Sequence, residues 1–221
     1  MLKAEAILLD DAPSTVCYAQ RRMRIFVALD VDQPICKRIQ KFIEEIRPTA
    51  PDVRWMTGES LHVTLKFIGE QPDAKVSQIQ SSLKSLSGEP FPVSFRGTGF
   101  FPTPRASRVF WIGIEAKDAL TRLAKNIEDS LARLGISKED RAFSPHLTLA
   151  RTRGGSGVPG RRKDDKTNRQ FAKLQEFLTT HPAPEFGTMT AREFFLYRSQ
   201  LSSQGSQYTK IARFELQPTT S

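Results

Sequence analysis

Two short stretches of this chain share the pattern apolar, His, apolar, Thr, apolar, and they restrict the possible folds more than any other feature. Side chains alternate between the two faces of a β-strand, so His62 and Thr64 share one face, as do His146 and Thr148. The intervening apolar residues predict a buried opposite face, which in the first copy would include Phe67. Two matched copies indicate an internal duplication whose halves face each other across one cleft.

The residue types in these stretches favour acid–base chemistry at phosphorus. Near neutral pH a neutral imidazole can accept a proton and an imidazolium can donate one. Two histidines on opposite sides of a phosphorus atom could act as base and acid, while threonine hydroxyls donate hydrogen bonds to the non-bridging oxygens. Such a site opens a cyclic phosphodiester without a metal or other cofactor. A single strand histidine would more simply be bonded to a neighbour, but the repeated context favours catalysis.

The overall charge and the cysteine content narrow the class of protein further. The net charge is +9, which fits a polyanionic partner such as RNA or DNA but also fits a merely basic protein. Cys17 and Cys36 form neither a zinc pattern nor a disulfide framework, so we expect a reducing cytoplasm. No apolar run approaches the roughly 20 residues that span a bilayer.

Helical spacing, strand alternation and turn residues predict an alternating order of elements. Helices are predicted over residues 32–48, 72–86, 118–134 and 171–181, and strands near 24–29, 53–56, 61–68, 91–99, 108–114, 145–151, 188–197 and 207–216.

The two ends of the chain and one internal segment depart from this pattern. Residues 1–22 are predicted to be a dispensable extension, because a good strand follows Met23 directly; a loosely docked segment is the alternative. Residues 23–217 would then form a single domain, and 218–221 a tail. The Gly-rich, basic residues 153–169 are predicted to be a flexible insertion, which either contacts a phosphate backbone or is simply solvated.

Several further stretches surround the histidine pairs in a recognisable order. They are RIFVAL (24–29), VRW (53–55), LHVTLKFIG (61–69), GFFP (99–102), RAFSPHLTLAR (141–151), LYRSQL (196–201) and GSQY (205–208). Together they resemble the bacterial and archaeal RNA 2′,3′-cyclic phosphodiesterases, historically called 2′-5′ RNA ligases, within the two-histidine (2H) phosphoesterase superfamily.

The resemblance implies a bilobal α+β fold in which two antiparallel sheets face each other across a central cleft, with helices outside. It implies His62 and His146 as catalytic residues, with His146 as the base and His62 as the acid. Thr64, Thr148 and Arg151 would bind the phosphate. Strict alternation from His146 points Arg151 away from the cleft, so we predict that the strand ends or bulges there.

Two aromatic residues, Tyr208 and Phe101, could stack on a base or line the cleft, although a place in the core is as compatible with the sequence. The resemblance implies a monomer acting on RNA with 2′,3′-cyclic phosphate ends, for example tRNA fragments. The alternatives are an ATP-independent 2′-5′ RNA ligase acting on tRNA halves, and a non-catalytic RNA-binding module. The chain contains no Gly-Lys-Ser phosphate loop, and neither histidine has a carboxylate or Cys at metal-ligand spacing.

Overall fold

The computed structural model describes residues 22–152, 169–202 and 205–217. Within them the strands are β1 (Arg22–Asp30), β2 (Val53–Trp55), β3 (His62–Pro72), β4 (Phe91–Phe101), β5 (Val109–Glu115), β6 (His146–Thr152), β7 (Glu185–Ala191), β8 (Glu193–Ser202) and β9 (Gly205–Glu215). The α-helices are α1 (Gln33–Ile46), α2 (Asp73–Lys84), α3 (Lys117–Ala132) and α4 (Ala172–Thr179). None of these helices is long and apolar enough to cross a membrane.

The strands form one curled antiparallel sheet in the order β7-β4-β5-β6-β3-β1-β8-β9, and β2 pairs with β6. The two halves meet where the histidine strands β3 and β6 pair through a single register position, Val63 opposite Leu147. The predicted α+β class and the two antiparallel halves are confirmed. The halves are hydrogen-bonded to each other because each histidine strand is the inner edge of its own half, so the two edges can pair.

The helices pack on the outer face of this sheet because each has one apolar stripe. In α1 the stripe consists of Ile35, Ile39, Ile43 and Ile46, which are at most 2% exposed, and burial of each contributes about 2–3 kcal/mol. The helix has Pro34 in its first turn and ends in a short 3₁₀ turn, Arg47–Thr49. This packing leaves the opposite face of the sheet, which carries the histidines, free of helices within the described residues.

The predicted strand over residues 188–197 is in fact two strands that separate at Arg192. The first pairs with β4 and the second with β1, so the chain crosses at this point from one half of the sheet to the other. The Arg192 carbonyl accepts a hydrogen bond from Leu216 N–H at 2.8 Å. No Gly or Pro marks this crossing, and sequence periodicity therefore could not reveal it.

Three sequence predictions concern the ends and the basic insertion. Arg22, the last residue of the predicted extension, lies in β1 and pairs with Pro72; that the extension is dispensable stays a prediction. The rest of the extension (1–21), residues 153–168 of the insertion and the tail (218–221) lie outside the described residues.

Candidate active site

The second histidine strand contains the bulge that the position of Arg151 requires. Two consecutive residues of β5 lie opposite Thr148 and Ala150, so Leu149 is an extra residue without a partner of its own. Leu149 and Ala150 are both completely buried. Because Leu149 and Ala150 point to the same face, the alternation of side chains between the two faces moves by one residue. Arg151 therefore lies on the same face as Thr148, where its Nη2 is 3.4 Å from the threonine Oγ1.

The first histidine strand bulges at the matching position. Thr64 and Lys66 lie opposite consecutive residues of β1, and Leu65 is the extra residue. Phe67 therefore returns to the open face, where it is 54% exposed and its ring centroid lies 6.0 Å from that of Phe26. The prediction that Phe67 lies on the buried face is wrong, because alternation does not continue through a bulge.

The same bulge turns Lys66 towards the outer layer of the molecule, where its side chain is only 3% exposed. Its Nζ donates hydrogen bonds of 2.9 Å to Glu128 Oε1 and to the Ser137 carbonyl. Glu128 also accepts a hydrogen bond of 2.7 Å from the Glu139 amide. Since a buried charge is costly unless it is paired and hydrogen-bonded, this network ties the bulged strand to α3 and to the loop that follows it.

Each histidine is oriented by a backbone carbonyl two residues before it. His146 Nδ1 lies 2.8 Å from the Ser144 carbonyl, and the His62 ring bonds to the carbonyl of Ser60. A carbonyl can only accept, so the bonded ring nitrogen must carry the hydrogen. This arrangement fixes each ring and leaves its other nitrogen available to exchange a proton with a substrate.

The free site keeps both imidazoles neutral at pH 7. Burial lowers the pKa of His62 to about 4; the Ser60 carbonyl and Asp30 oppose this change, while the charge of Arg151, and that of His146 when it is protonated, add to it. Burial also lowers the pKa of His146, and Arg151 lowers it further against the effect of the Ser144 carbonyl. The charge of Arg151 therefore acts on both histidines, which places all three side chains in one cleft.

Aromatic rings surround His62 on its half of the sheet. Phe26 lies 4.8 Å from it between ring centroids, and Tyr208 meets it edge-on at 5.0 Å. Tyr197 stacks on Phe26 at 5.2 Å, and its hydroxyl donates to Asp30, the residue opposite His62 in the sheet. The structure thus brings Tyr208 to the histidine, as one part of a larger aromatic cluster.

The other histidine has a similar set of neighbours. Phe101 meets His146 edge-on with ring centroids 4.9 Å apart, and the Trp111 ring lies 6.4 Å from the imidazole. The Trp111 ring covers Gly99, where a Cβ would lie only 2.2 Å from the indole. Phe101 and Tyr208 therefore make the same edge-on contact with a histidine, although Phe101 lies two strands from β6 and Tyr208 lies three strands from β3.

Sequence reasoning did not identify Phe26, Trp111 or Asp30 as neighbours of the histidines. They lie on β1 and β5, which flank the histidine strands, and their contacts depend on a pairing register that one sequence does not specify. Within the described residues, no group of three or more His, Cys, Asp and Glu side chains is placed to hold a metal ion.

Comparison with known proteins gives consistent results. A family model described as the 2′-5′ RNA ligase superfamily matches residues 34–181. A protein of Archaeoglobus fulgidus named RNA 2′,3′-cyclic phosphodiesterase is 33% identical over 193 residues, covering 87% of this chain and 100% of the relative. A protein of Methanothermobacter thermautotrophicus with the same name is 32% identical over 197 residues, covering 88% of this chain and 100% of the relative.

Solved structures of the same architecture include two bacterial proteins. Escherichia coli LigT in complex with 3′-AMP has a TM-score of 0.70 and 25% identity, over 89% of this chain and 99% of that one. A protein of Thermus thermophilus has a TM-score of 0.68 and 27% identity, over 89% of this chain and 100% of that one. With the two His-x-Thr strands meeting at the centre of the sheet, these matches show that the chain belongs to the 2′-5′ RNA ligase superfamily.

Proposed function

We propose that this protein hydrolyses the 2′,3′-cyclic phosphate ends of RNA to 2′-phosphomonoesters by acid–base catalysis between two histidines. The observation that carries the proposal is the matched orientation of His62 and His146. Each ring is held by the carbonyl two residues before it and keeps one nitrogen for the substrate. The relatives named RNA 2′,3′-cyclic phosphodiesterase, which this chain matches over most of its length, support the same reaction.

In the proposed reaction a water molecule attacks phosphorus in line with the bond to the ribose O3′. His146 takes a proton from the water as the new P–O bond forms. The P–O3′ bond breaks on the opposite side, and His62 donates its proton to the departing O3′. Thr64, Thr148 and Arg151 hold the non-bridging oxygens, on which negative charge grows in the transition state.

The electrostatics of the free site explain how His62 could acquire the proton that it must donate. Its pKa of about 4 in the free protein leaves it neutral at pH 7, so protonation has to accompany substrate binding. A bound phosphodiester carries a negative charge, which favours the imidazolium and raises the pKa of a neighbouring histidine. Binding of the anionic substrate would thus favour protonation of His62, which then acts as the acid in cleavage.

The test is incubation with a nucleoside 2′,3′-cyclic phosphate in EDTA and without ATP, followed by chromatographic identification of the product isomer. We expect the 2′-phosphate to accumulate, since two histidines and the hydroxyl donors supply every role in the reaction. Activity that disappears in chelator and returns with a divalent ion would refute the mechanism. Formation of the 3′-phosphate would show that O2′, and not O3′, is the leaving oxygen.

A 2′-5′ ligation is the second candidate, because the same groups can catalyse the reaction with a different nucleophile. The 5′-hydroxyl of a second RNA would replace water, give its proton to His146 and form a 2′-5′ linkage while O3′ departs, without ATP. Adding an RNA half with a 5′-hydroxyl, such as a tRNA fragment, to the hydrolysis assay would test this. A non-catalytic RNA-binding module would not need two free imidazole nitrogens, so we give it less weight.

A further inference from the structure

A second arginine lies beside the proposed phosphate site. Arg54 is the middle residue of β2 and stands directly opposite Arg151 in the antiparallel pairing with β6. Its neighbours Val53 and Trp55 pack into the hydrophobic core, and the Trp55 indole donates to the Ala50 carbonyl at 3.1 Å. Alternation along this short strand therefore places the exposed Arg54 side chain on the cleft face, with Arg151.

This pairing of two like charges is unfavourable in the absence of an anion. Directly opposite residues of an antiparallel pair have Cβ atoms about 5 Å apart, and like charges at such positions are destabilising. Burial lowers the pKa of Arg151; Tyr208 opposes this change, while the charge of Arg54 adds to it. Among the described residues, no carboxylate forms an ion pair with either guanidinium, so two adjacent cations are available to phosphate groups.

The two arginines differ in their distance from the reacting centre. Arg151 reaches back to Thr148, and its charge lowers the pKa of both histidines. Arg54 acts on Arg151 instead, from a more exposed position one strand farther along the cleft. The spacing of cross-strand arginines is comparable to that of successive phosphates on a nucleic-acid strand, so one guanidinium can serve each phosphate.

We infer that Arg54 binds the phosphate on the 5′ side of the terminal nucleotide, so that the enzyme selects an RNA chain over a free mononucleotide. The inference rests on the proposed function, because it assigns the scissile cyclic phosphate to the histidines and Arg151. It identifies the minimal good substrate as a dinucleotide that carries one internal phosphate and a 2′,3′-cyclic end.

The experiment compares kcat/KM for such a dinucleotide with kcat/KM for the matching nucleoside 2′,3′-cyclic phosphate, in wild type and in Arg54→Met. We expect the wild-type ratio to favour the dinucleotide about tenfold, and the ratio in Arg54→Met to fall close to one. Because each phosphate contact contributes about 0.7 to the salt slope for a single strand, the slope of log kcat/KM against log salt for the dinucleotide should become shallower by about that amount.

Arg122→Met is the matched control, because it removes the same charge from the exposed face of α3, where Arg122 lies near Asp118. We expect the control to keep the wild-type ratio and salt slope. A ratio that is unchanged in Arg54→Met overturns the inference, whether both substrates lose activity together or neither does. If wild type hydrolyses neither substrate, the proposed function itself is wrong, and that outcome is distinguishable from a loss of preference.

Discussion

Lys66 offers a direct test of how the bulge in the first histidine strand is held. Its ammonium is buried between the Glu128 carboxylate and the Ser137 carbonyl, and Lys66→Met removes the charge while keeping a side chain of similar length. Removing one partner of a fully buried pair costs about 3–5 kcal/mol. Because Glu128 is 26% exposed and keeps its bond from the Glu139 amide, we expect a smaller loss, about 1–3 kcal/mol.

The assay is thermal and urea unfolding of Lys66→Met, Glu128→Gln and the double variant, which together form a double-mutant cycle. For a chain of this size each 1 kcal/mol corresponds to about 2–4 °C in Tm, and contacting partners show coupling energies of about 0.5–3 kcal/mol. Lys125→Met is the control, because Lys125 is exposed and pairs with Asp129 within the same helix. Such surface pairs contribute much less to stability than a buried pair, so we expect Lys125→Met to unfold close to wild type.

The coupling between Lys66 and Glu128 should also depend on pH with a definite sign. The Glu139 amide, together with the hydrogen bond and charge of Lys66, lowers the pKa of Glu128 below its ordinary 4.5. Its contribution to stability is therefore complete above pH 4.5 and is lost as the pH falls through the lowered value. A coupling energy near zero at pH 7, or one unchanged on acidification, would refute the view that this ion pair supports the bulge.

Three other outcomes follow from the site. The form of the free enzyme that reacts productively has one neutral and one protonated imidazole. Because the pKa values of His62 and His146 both lie below 6.5, kcat/KM should reach its maximum below pH 6.5. A maximum above pH 7 would contradict this expectation. Gly99→Ala must displace Trp111 and should lower kcat about ten- to a hundredfold through misplaced groups, whereas Gly88→Ala meets only ordinary contacts and serves as its control. On a nitrophenyl phosphodiester, whose leaving group needs little protonation, His62→Ala should retain more activity than His146→Ala; the opposite order would exchange acid and base.

Those features of the fold that depend on local periodicity could be predicted from the sequence. The His-x-Thr pairs had the alternation of half-buried strands, and Ile35, Ile39 and Ile43 had helical spacing; both kinds of element are present in the structure. Each of these signals is contained within one segment, so no knowledge of a partner strand is needed.

The features that could not be predicted depend on pairing between distant strands. A bulge is defined only by the register between a strand and its partner strand. The residues around Leu65 contain no local signal that Lys66 is buried on the core side while Phe67 lies on the open face. The bulge near Leu149 was anticipated only because the resemblance required Arg151 at the phosphate. The strand change at Arg192 was hidden in the same way, because it consists of a change of partner strand from β4 to β1.

The two bulges make the halves of the site equivalent in backbone but different in charge. Phe67 occupies on β3 the position that Arg151 occupies on β6, three residues after the threonine in each case. An arginine at position 67 as well would place a second cation, more exposed than Arg151, on the face of the sheet that carries the histidines, and would lower their pKa values further, as Arg151 already does. In the proposed mechanism the general acid is protonated while a phosphodiester that carries only one negative charge is bound. In the proposed mechanism a single arginine would stabilise the phosphate without preventing that protonation, and the uncharged Phe67 at the corresponding position of β3 is consistent with this arrangement.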